Sequence, residues 1–169
     1  VEALDYLHNK KMVCHRDLKM ENIMFDSNMN IRLIDFGLGD ESDEYVTNFD
    51  GACGSLPFTA PEVINTKNCT FSADIWSLGV VLYAMLAGEL PFNDKNDQRL
   101  MQKILFTEPK YPSNLPSNCV DLIQRMLTKD PSKRITIGQI KNHPWSLQVC
   151  YDFIEPPDEP TIDARILAR

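Results

Sequence analysis

The sequence has no long uninterrupted apolar run, and its charge balance is not basic. The longest mainly apolar stretch, 75–88, is too short and too interrupted to span a membrane, which takes about 20 apolar residues. The formal net charge of −7 argues against a basic face that binds nucleic acid. We therefore expect a protein that has no membrane span and does not bind nucleic acid.

The sequence also lacks the cysteine pattern of a disulfide framework or a zinc site. Its five cysteines are odd in number, and no two of them form a Cys-x-x-Cys pair. Scattered free thiols are typical of a reducing compartment, so we expect a cytoplasmic protein, with the nucleus as the other compartment. The length of 169 residues suits one hydrophobic core rather than two.

Polar side chains that could take part in catalysis are concentrated between residues 14 and 37. Asp17, Lys19 and Asn22 share one short loop, and Asp35 follows thirteen positions after Asn22. Together they comprise a base, a cation and two oxygen ligands suited to a metal ion.

Two short apolar runs separate this loop from Asp35. The runs 23–25 and 31–34 flank the turn-forming residues 26–28, a pattern that predicts a β-hairpin. Such a hairpin would bring Asp35 back beside Asn22, so that the four side chains converge.

This equipment suits phosphoryl transfer, which needs a proton acceptor, Mg²⁺ held by hard oxygens and positive charge near the transferred group. The His-Arg-Asp run at 15–17, with Asn22 after it and Asp-Phe-Gly at 35–37, resembles the catalytic loop and metal-binding motif of eukaryotic protein kinases. An Asx-rich turn between two strands is the structural alternative, and the motifs downstream argue against it.

The resemblance implies a role for each polar residue. Asp17 would be the catalytic base, and Lys19 would contact the transferred phosphate of ATP. Asn22 and Asp35 would hold Mg²⁺, and Met24 would lie under the adenine ring. The place of Lys19, two residues after Asp17, resembles the serine/threonine kinases rather than the tyrosine kinases.

Three other residues near the loop take their implied roles from the same resemblance. His15 and Phe36 would stack in the hydrophobic spine of the domain. Glu21 matches a carboxylate that binds a substrate arginine in basic-directed kinases, although a second such glutamate is replaced here by Ala84.

The stretch 53–62, Cys-Gly-Ser-Leu-Pro-Phe-Thr-Ala-Pro-Glu, resembles the end of a kinase activation segment. By that resemblance Ser55 hydrogen-bonds near Asp17 and Lys19. Leu56 would help to shape the pocket for the residue after the phosphoacceptor. An ordinary loop rich in glycine and proline is the alternative for this stretch taken alone.

The apolar stretch 72–87 predicts a helix that is buried on every side, with Ser72 as its N-cap and Gly88 as its end. It resembles the central helix of the kinase large lobe, where Asp74 would accept hydrogen bonds from the catalytic-loop backbone. A first-turn acid on a helix dipole is the alternative for Asp74. Arg134 matches the arginine that pairs in this family with the glutamate of Ala-Pro-Glu, here Glu62. A surface arginine is the alternative, and the pair is favoured because a buried carboxylate needs a partner.

Further helices are predicted in the second half of the chain, over 98–106, from 117 onward with Ser117 as the cap, and over 136–141. The sequence thus predicts a mainly α fold, a kinase-like C-terminal lobe with one short β-hairpin at the catalytic loop. We expect this lobe to cover 1–145 and a linker or tail to cover 146–169.

The activation loop departs from related kinases at Gly51, where they carry a phosphorylated threonine that pairs with the arginine matched here by Arg16. Gly51 has no hydroxyl, so Asp50 could supply a fixed charge instead. Thr47 is an alternative phosphorylation site. A third reading is an acidic loop that is only solvated.

The chain shows no glycine-rich loop and no strand lysine, so the small lobe of a kinase is absent from it. We therefore expect a large-lobe fragment, cut within a helix at its start and inactive by itself, from an enzyme that phosphorylates serine or threonine in protein substrates. A non-catalytic scaffold or pseudokinase remnant is the alternative. The Cys-Gly-Ser run and the stretch 83–92 resemble the calcium/calmodulin-dependent group, in its AMP-activated-kinase-related branch.

Overall fold

The computed structural model describes residues 1–35, 55–66 and 69–150. Helices dominate, and the only sheet in these ranges is a two-stranded hairpin. The helices are α1 Glu2–Tyr6, α2 Pro61–Thr66, α3 Phe71–Ala87, α4 Asp97–Phe106, α5 Ser117–Met126, α6 Ile137–Lys141 and α7 Pro144–Cys150. A π-helical turn at Leu7–Lys11 extends α1, and 3-10 turns lie at Met20–Asn22 and Leu56–Phe58.

The predicted hairpin is present. Strand β1, Ile23–Phe25, pairs with β2, Ile31–Leu33, in antiparallel register, with Met24 opposite Arg32. Asp26 holds the turn, because its Oδ1 accepts the amides of Asn28 and Asn30 at 2.9 Å each. Arg32 also donates to Oδ2 of Asp26, at 2.8 and 3.0 Å. The hydrogen bonds from Asn30 and Arg32 lower the pKa of Asp26 to about 2.

Most of the central helix α3 is buried, and Gly88 ends it with φ 75°. The prediction that it is buried on every side is wrong at its last turn, where Met85 is 70% exposed and Leu86 38%. Only glycine adopts this left-handed conformation without steric cost, which explains the stop. The predicted N-cap is wrong: the cap position is Thr70, where the backbone is still extended, and Ser72 lies inside the first turn. The Ser72 hydroxyl donates instead to the carbonyl of Pro131, 3.2 Å away.

The core lies on both sides of α3. One cluster surrounds Trp76 and Ile123, and the other surrounds Leu18 and Met126. Gly79 lets α3 approach α5 closely, since a Cβ at this position would lie 2.8 Å from Cβ of Met126.

The later helices form where the sequence predicts them, with differences at their starts. Helix α5 begins at Ser117, but Pro116 occupies the cap position, so the predicted Ser117 cap is wrong. Thr136 caps α6 through a reciprocal pair of hydrogen bonds with Gln139. Among the described residues, no helix is both long enough and apolar enough to cross a bilayer.

Candidate active site

The loop that carries Asp17 is fastened to α3 by Asp74. This carboxylate, only 1% exposed, accepts the amide of His15 at 2.8 Å and the amide of Arg16 at 2.9 Å. A buried carboxylate needs such donors, and these two fix the backbone immediately before Asp17.

A third contact to Asp74 comes from His8, which the sequence analysis did not single out. Its Nε2 lies 2.8 Å from Oδ2 of Asp74, and its ring stacks on Phe71 with centroids 4.7 Å apart. The two residues are 66 positions apart, so no local pattern could have revealed the contact. Burial lowers the pKa of the neighbouring His15, which is fully enclosed.

Asp17 is held by three neighbours. Lys19 Nζ lies 2.6 Å from Oδ2 of Asp17, and the side-chain amide of Asn22 donates to the Asp17 carbonyl at 2.8 Å. The backbone amide of Ser55 donates to Oδ1 at 3.3 Å. The contact from Ser55 brings the 55–66 segment against the catalytic loop.

The charges around Lys19 favour its protonated form. Its hydrogen bond to Asp17 raises the pKa of the ammonium, and the carboxylates of Glu21 and Asp35 add to the effect. A cation is therefore maintained beside Asp17, where a transferring phosphate would need one.

The hairpin returns the chain to the same place. The amide of Ile34 donates to the carbonyl of Asn22 at 3.0 Å, so Asp35 follows directly beyond the 20–22 turn. Asn22 is buried, whereas Asp35 is exposed. The backbone thus brings Asp35 back to the end of the loop that carries Asn22.

The pair Asn22 and Asp35 is suited to Mg²⁺. The amide nitrogen of Asn22 faces Asp17, which leaves its side-chain oxygen as the atom for a metal, and Asp35 supplies carboxylate oxygens. Within the described ranges, no three His, Cys, Asp or Glu side chains form a metal-binding group. Mg²⁺ that also binds phosphate needs only one or two protein ligands, so this donor set fits it.

Two residues in the site have left-handed backbones, Arg16 with φ 68° and Asp35 with φ 62°. Such conformations cost about 1–3 kcal/mol for a residue other than glycine and persist only where neighbouring structure enforces them. For Arg16, the bond from its amide to Asp74 supplies that constraint.

A cavity lies between the catalytic loop, the 55–66 segment and the start of α3. Its lining includes Arg16, Asp17, Ser55, Thr59, Cys69 and Asp74. Asp17, Asp74 and Arg16 therefore line one cavity next to the contact between Asp17 and Ser55.

Glu62 and Arg134 form a buried ion pair. Arg134 donates to both oxygens of Glu62, at 2.6 and 2.8 Å, and its side chain is fully enclosed. Its remaining donors bond to the carbonyls of Ser72, Thr128 and Lys129. The pair joins α2 to the loop before α6.

The other predicted site residues lie around this centre or outside the described residues. Met24 on β1 is half exposed, Glu21 is exposed and Leu56 is partly buried. Phe36 and Asp50 fall outside the ranges that the structure describes, so their predicted roles stay predictions.

Comparison with known proteins identifies related sequences. A family model described as the protein kinase domain matches residues 1–146. Serine/threonine-protein kinase SIK2 of Gallus gallus is 47% identical over 148 residues, 86% of this chain and 18% of the relative. Protein kinase kin1 of Schizosaccharomyces pombe is 43% identical over 149 residues, again 86% of this chain and 16% of the relative.

A plant relative matches over more of the chain. The SNF1-related protein kinase catalytic subunit alpha KIN12 of Arabidopsis thaliana is 40% identical over 168 residues, 96% of this chain and 33% of the relative. The chain therefore spans between about a sixth and a third of the length of these three relatives.

Proposed function

The chain belongs to the protein kinase family, and from this premise we propose that it forms the large lobe of a serine/threonine kinase. The complete enzyme would transfer the γ-phosphate of ATP to serine or threonine hydroxyls of protein substrates. The relatives that match this chain carry the names of serine/threonine kinases in the SNF1 and SIK groups, which supports the same branch.

The contact set of Asp17 is the observation that carries the proposal. Its carboxylate is held by Lys19 on Oδ2 and by the Ser55 amide on Oδ1, and Asp17 lines a cavity. A carboxylate in this position accepts the proton of an incoming hydroxyl as that oxygen attacks phosphorus. Lys19 supplies positive charge to the phosphoryl group and keeps Asp17 oriented.

Asn22 and Asp35 would hold Mg²⁺, and the exposed side chain of Met24 would contact the adenine of ATP. The ion, when bound, neutralises charge on the nucleotide phosphates. The fixed amide of Asn22 orients its oxygen by bonding to Asp17, so one residue links the proton acceptor to the metal position.

The substrate would bind along the 55–58 segment. Ser55 fastens this segment to Asp17, and the turn Leu56–Phe58 follows directly, with Phe58 buried against the core. Leu56 would then contact the residue after the phosphoacceptor. Glu21, exposed on the catalytic loop, would attract a basic residue of the substrate.

The test is a transfer assay on the complete protein that contains this chain. With Mg²⁺ and ATP we expect labelled phosphate on serine or threonine peptides, little on matched tyrosine peptides, and no transfer once the metal is chelated. The 169-residue chain alone should transfer none, since its sequence contains no glycine-rich loop or strand lysine.

A complete protein that folds and yet transfers no phosphate to any of these peptides would instead support the scaffold alternative.

We also propose a cytoplasmic or nuclear location. Imaging of the tagged complete protein would check it, and a signal confined to a secretory compartment would contradict it.

A further inference from the structure

Lys129 lies outside the site described above, yet it makes an unusual set of contacts. It follows α5 in the loop that leads to Arg134, and its Nζ donates to the carbonyls of Ile104 at 2.9 Å and Thr107 at 2.7 Å. These carbonyls belong to the last turn and end of α4. The last carbonyls of a helix have no partner inside the helix and carry the negative end of its dipole, so a cation there is doubly favourable.

The ammonium is also fixed from its other side. Nζ lies 5.1 Å from the ring centroid of Phe92 and 5.7 Å from that of Trp76, two rings that stack on each other. Burial lowers the pKa of this half-buried lysine, as expected where a cation is drawn from water into such surroundings. A lysine held on both sides has far less freedom than one on the surface.

Few other contacts hold this end of α4. Ile104 is fully buried, but Phe106, the last residue of the helix, is 73% exposed and contributes little packing. The hydroxyl of Thr107 donates back into the helix, to the carbonyl of Lys103. Lys103 in the last turn reaches the Asn93 carbonyl at 2.6 Å and Asp94 at 2.9 Å, both in the loop before α4. Among the described contacts, Lys129 is the polar link from the end of α4 to the segment that follows α5.

The position of α4 matters because of what it touches. Helix α4 packs against the turn Leu56–Phe58 and against α2. That turn follows Ser55, whose amide bonds to Asp17. A shift of α4 would consequently reach the segment proposed above to hold the substrate beside the proton acceptor.

We propose that Lys129 is a positioning residue for the protein substrate, acting through α4 on the segment 55–58. This inference rests on the proposed kinase function and adds a residue outside the active site that acts on substrate binding through packed elements.

 Loss of the Lys129 side chain should weaken the binding of the peptide and leave the binding of ATP unchanged. The reason is that the contacts of Lys129 lead through α4 to the substrate segment and not to the proposed nucleotide residues.

The experiment compares Lys129→Met with wild type in the complete protein, using a serine peptide chosen from a synthetic library as a wild-type substrate. Lys133→Met is the matched control, since Lys133 lies in the same loop but is 77% exposed and bonds only to Asp130 within that loop. We expect Lys129→Met to raise the peptide KM about five- to fiftyfold with a smaller change in kcat and an unchanged KM for ATP. Lys133→Met should match wild type.

Lys129→Gln provides a second variant that retains a donor group and is tested in the same way if the methionine variant does not fold. A peptide KM within about twofold of wild type in the folded variant would overturn the inference. A fall in kcat together with an equal rise in the KM for ATP would also overturn it, because these changes would indicate general destabilisation.

Hydrogen exchange separates this inference from the kinase proposal. Faster exchange of the 55–60 amides in Lys129→Met, but not in Lys133→Met, is expected whether or not the wild type transfers phosphate. Unchanged exchange there would contradict the coupling. A wild-type protein without transfer activity would contradict the kinase function alone.

Discussion

The carboxylate of Asp74 accepts the backbone amide of Arg16 at 2.9 Å, across 58 positions of sequence. Arg16 has a left-handed backbone, and Asp17 follows it directly. The central helix therefore enforces the conformation that presents the proposed proton acceptor. The same carboxylate also accepts the amide of His15 and contacts His8, so one side chain supports the whole start of the loop.

Replacing Asp74 by asparagine should loosen this loop. The asparagine amide would point N–H groups at a backbone N–H or at His8, and one buried donor left without an acceptor costs about 1–3 kcal/mol. Urea unfolding followed by tryptophan fluorescence measures the loss. Asp97→Asn is the control, because Asp97 is an exposed acid in the first turn of α4. Equal stability of the two variants would show that the Asp74 carboxylate does not stabilise the start of the loop.

The pair of Glu62 and Arg134 leads to a second prediction. Arg134→Ala should destabilise the lobe by about 3–5 kcal/mol, since Glu62 would lose its buried partner. Arg125→Ala is a suitable comparison, because Arg125 is 60% exposed and its pair with Asp121 lies on the surface of α5. Part of the loss should be recovered when Glu62→Gln is combined with Arg134→Met. A thermal melt of Arg134→Ala that matches wild type would refute the assignment.

The close packing of α3 on α5 leads to a third prediction. Gly79→Ala should cost about 1–3 kcal/mol, because its new Cβ would lie 2.8 Å from Met126 Cβ and 3.0 Å from Leu127 Cδ2. Gly138→Ala in α6 meets nothing within 4 Å and should stabilise the helix by about 0.5–1 kcal/mol. Chemical denaturation of both variants checks the contrast, and a Gly79→Ala variant as stable as wild type would contradict it.

The thiol of Cys14 yields a prediction about alkaline pH. Burial raises its pKa from the ordinary 9.0 to about 12, and the Asp74 carboxylate acts in the same direction. Above pH 9.0 the unfolded chain releases this proton and the folded chain keeps it, so folding loses stability as the pH rises from about 9 towards 12. Below that window the contribution of the thiol is fully present.

The measurement is the free energy of unfolding of wild type and Cys14→Ala, followed from neutral pH to about pH 11. Wild type should lose stability with pH more steeply than Cys14→Ala, since the variant lacks the titrating group. Parallel curves for the two proteins would mean that Cys14 is not half-buried as the structure has it.

Local patterns in the sequence predicted much of the fold. The turn chemistry at 26–28 predicted the hairpin, and the apolar stretch 72–87 predicted a helix that is buried along most of its length, although its last turn is exposed. The errors lie at helix starts. Ser72 and Ser117 are both good capping residues, but the chain becomes helical two residues earlier than a Ser72 cap requires, and Pro116 occupies the cap position of α5.

Contacts between distant segments were harder to predict. The resemblance to kinases pointed to Glu62 with Arg134, and the structure shows that contact. Nothing in the sequence singled out His8 or Lys129, because a histidine or lysine in a helical or loop pattern is ordinarily a surface residue. Only the folded chain shows His8 against Asp74 and Lys129 at the end of α4.

The most direct test of the account concerns Asp17 in the complete protein. Asp17→Asn removes the proton acceptor and keeps the size of the side chain, so kcat for a serine peptide should fall by about 10²- to 10⁴-fold. The melting temperature and the affinity for ATP should stay close to wild type, and the exposed Asp97→Asn should retain full activity. Wild-type turnover by a folded Asp17→Asn protein would contradict the central claim that this carboxylate receives the proton of the substrate hydroxyl.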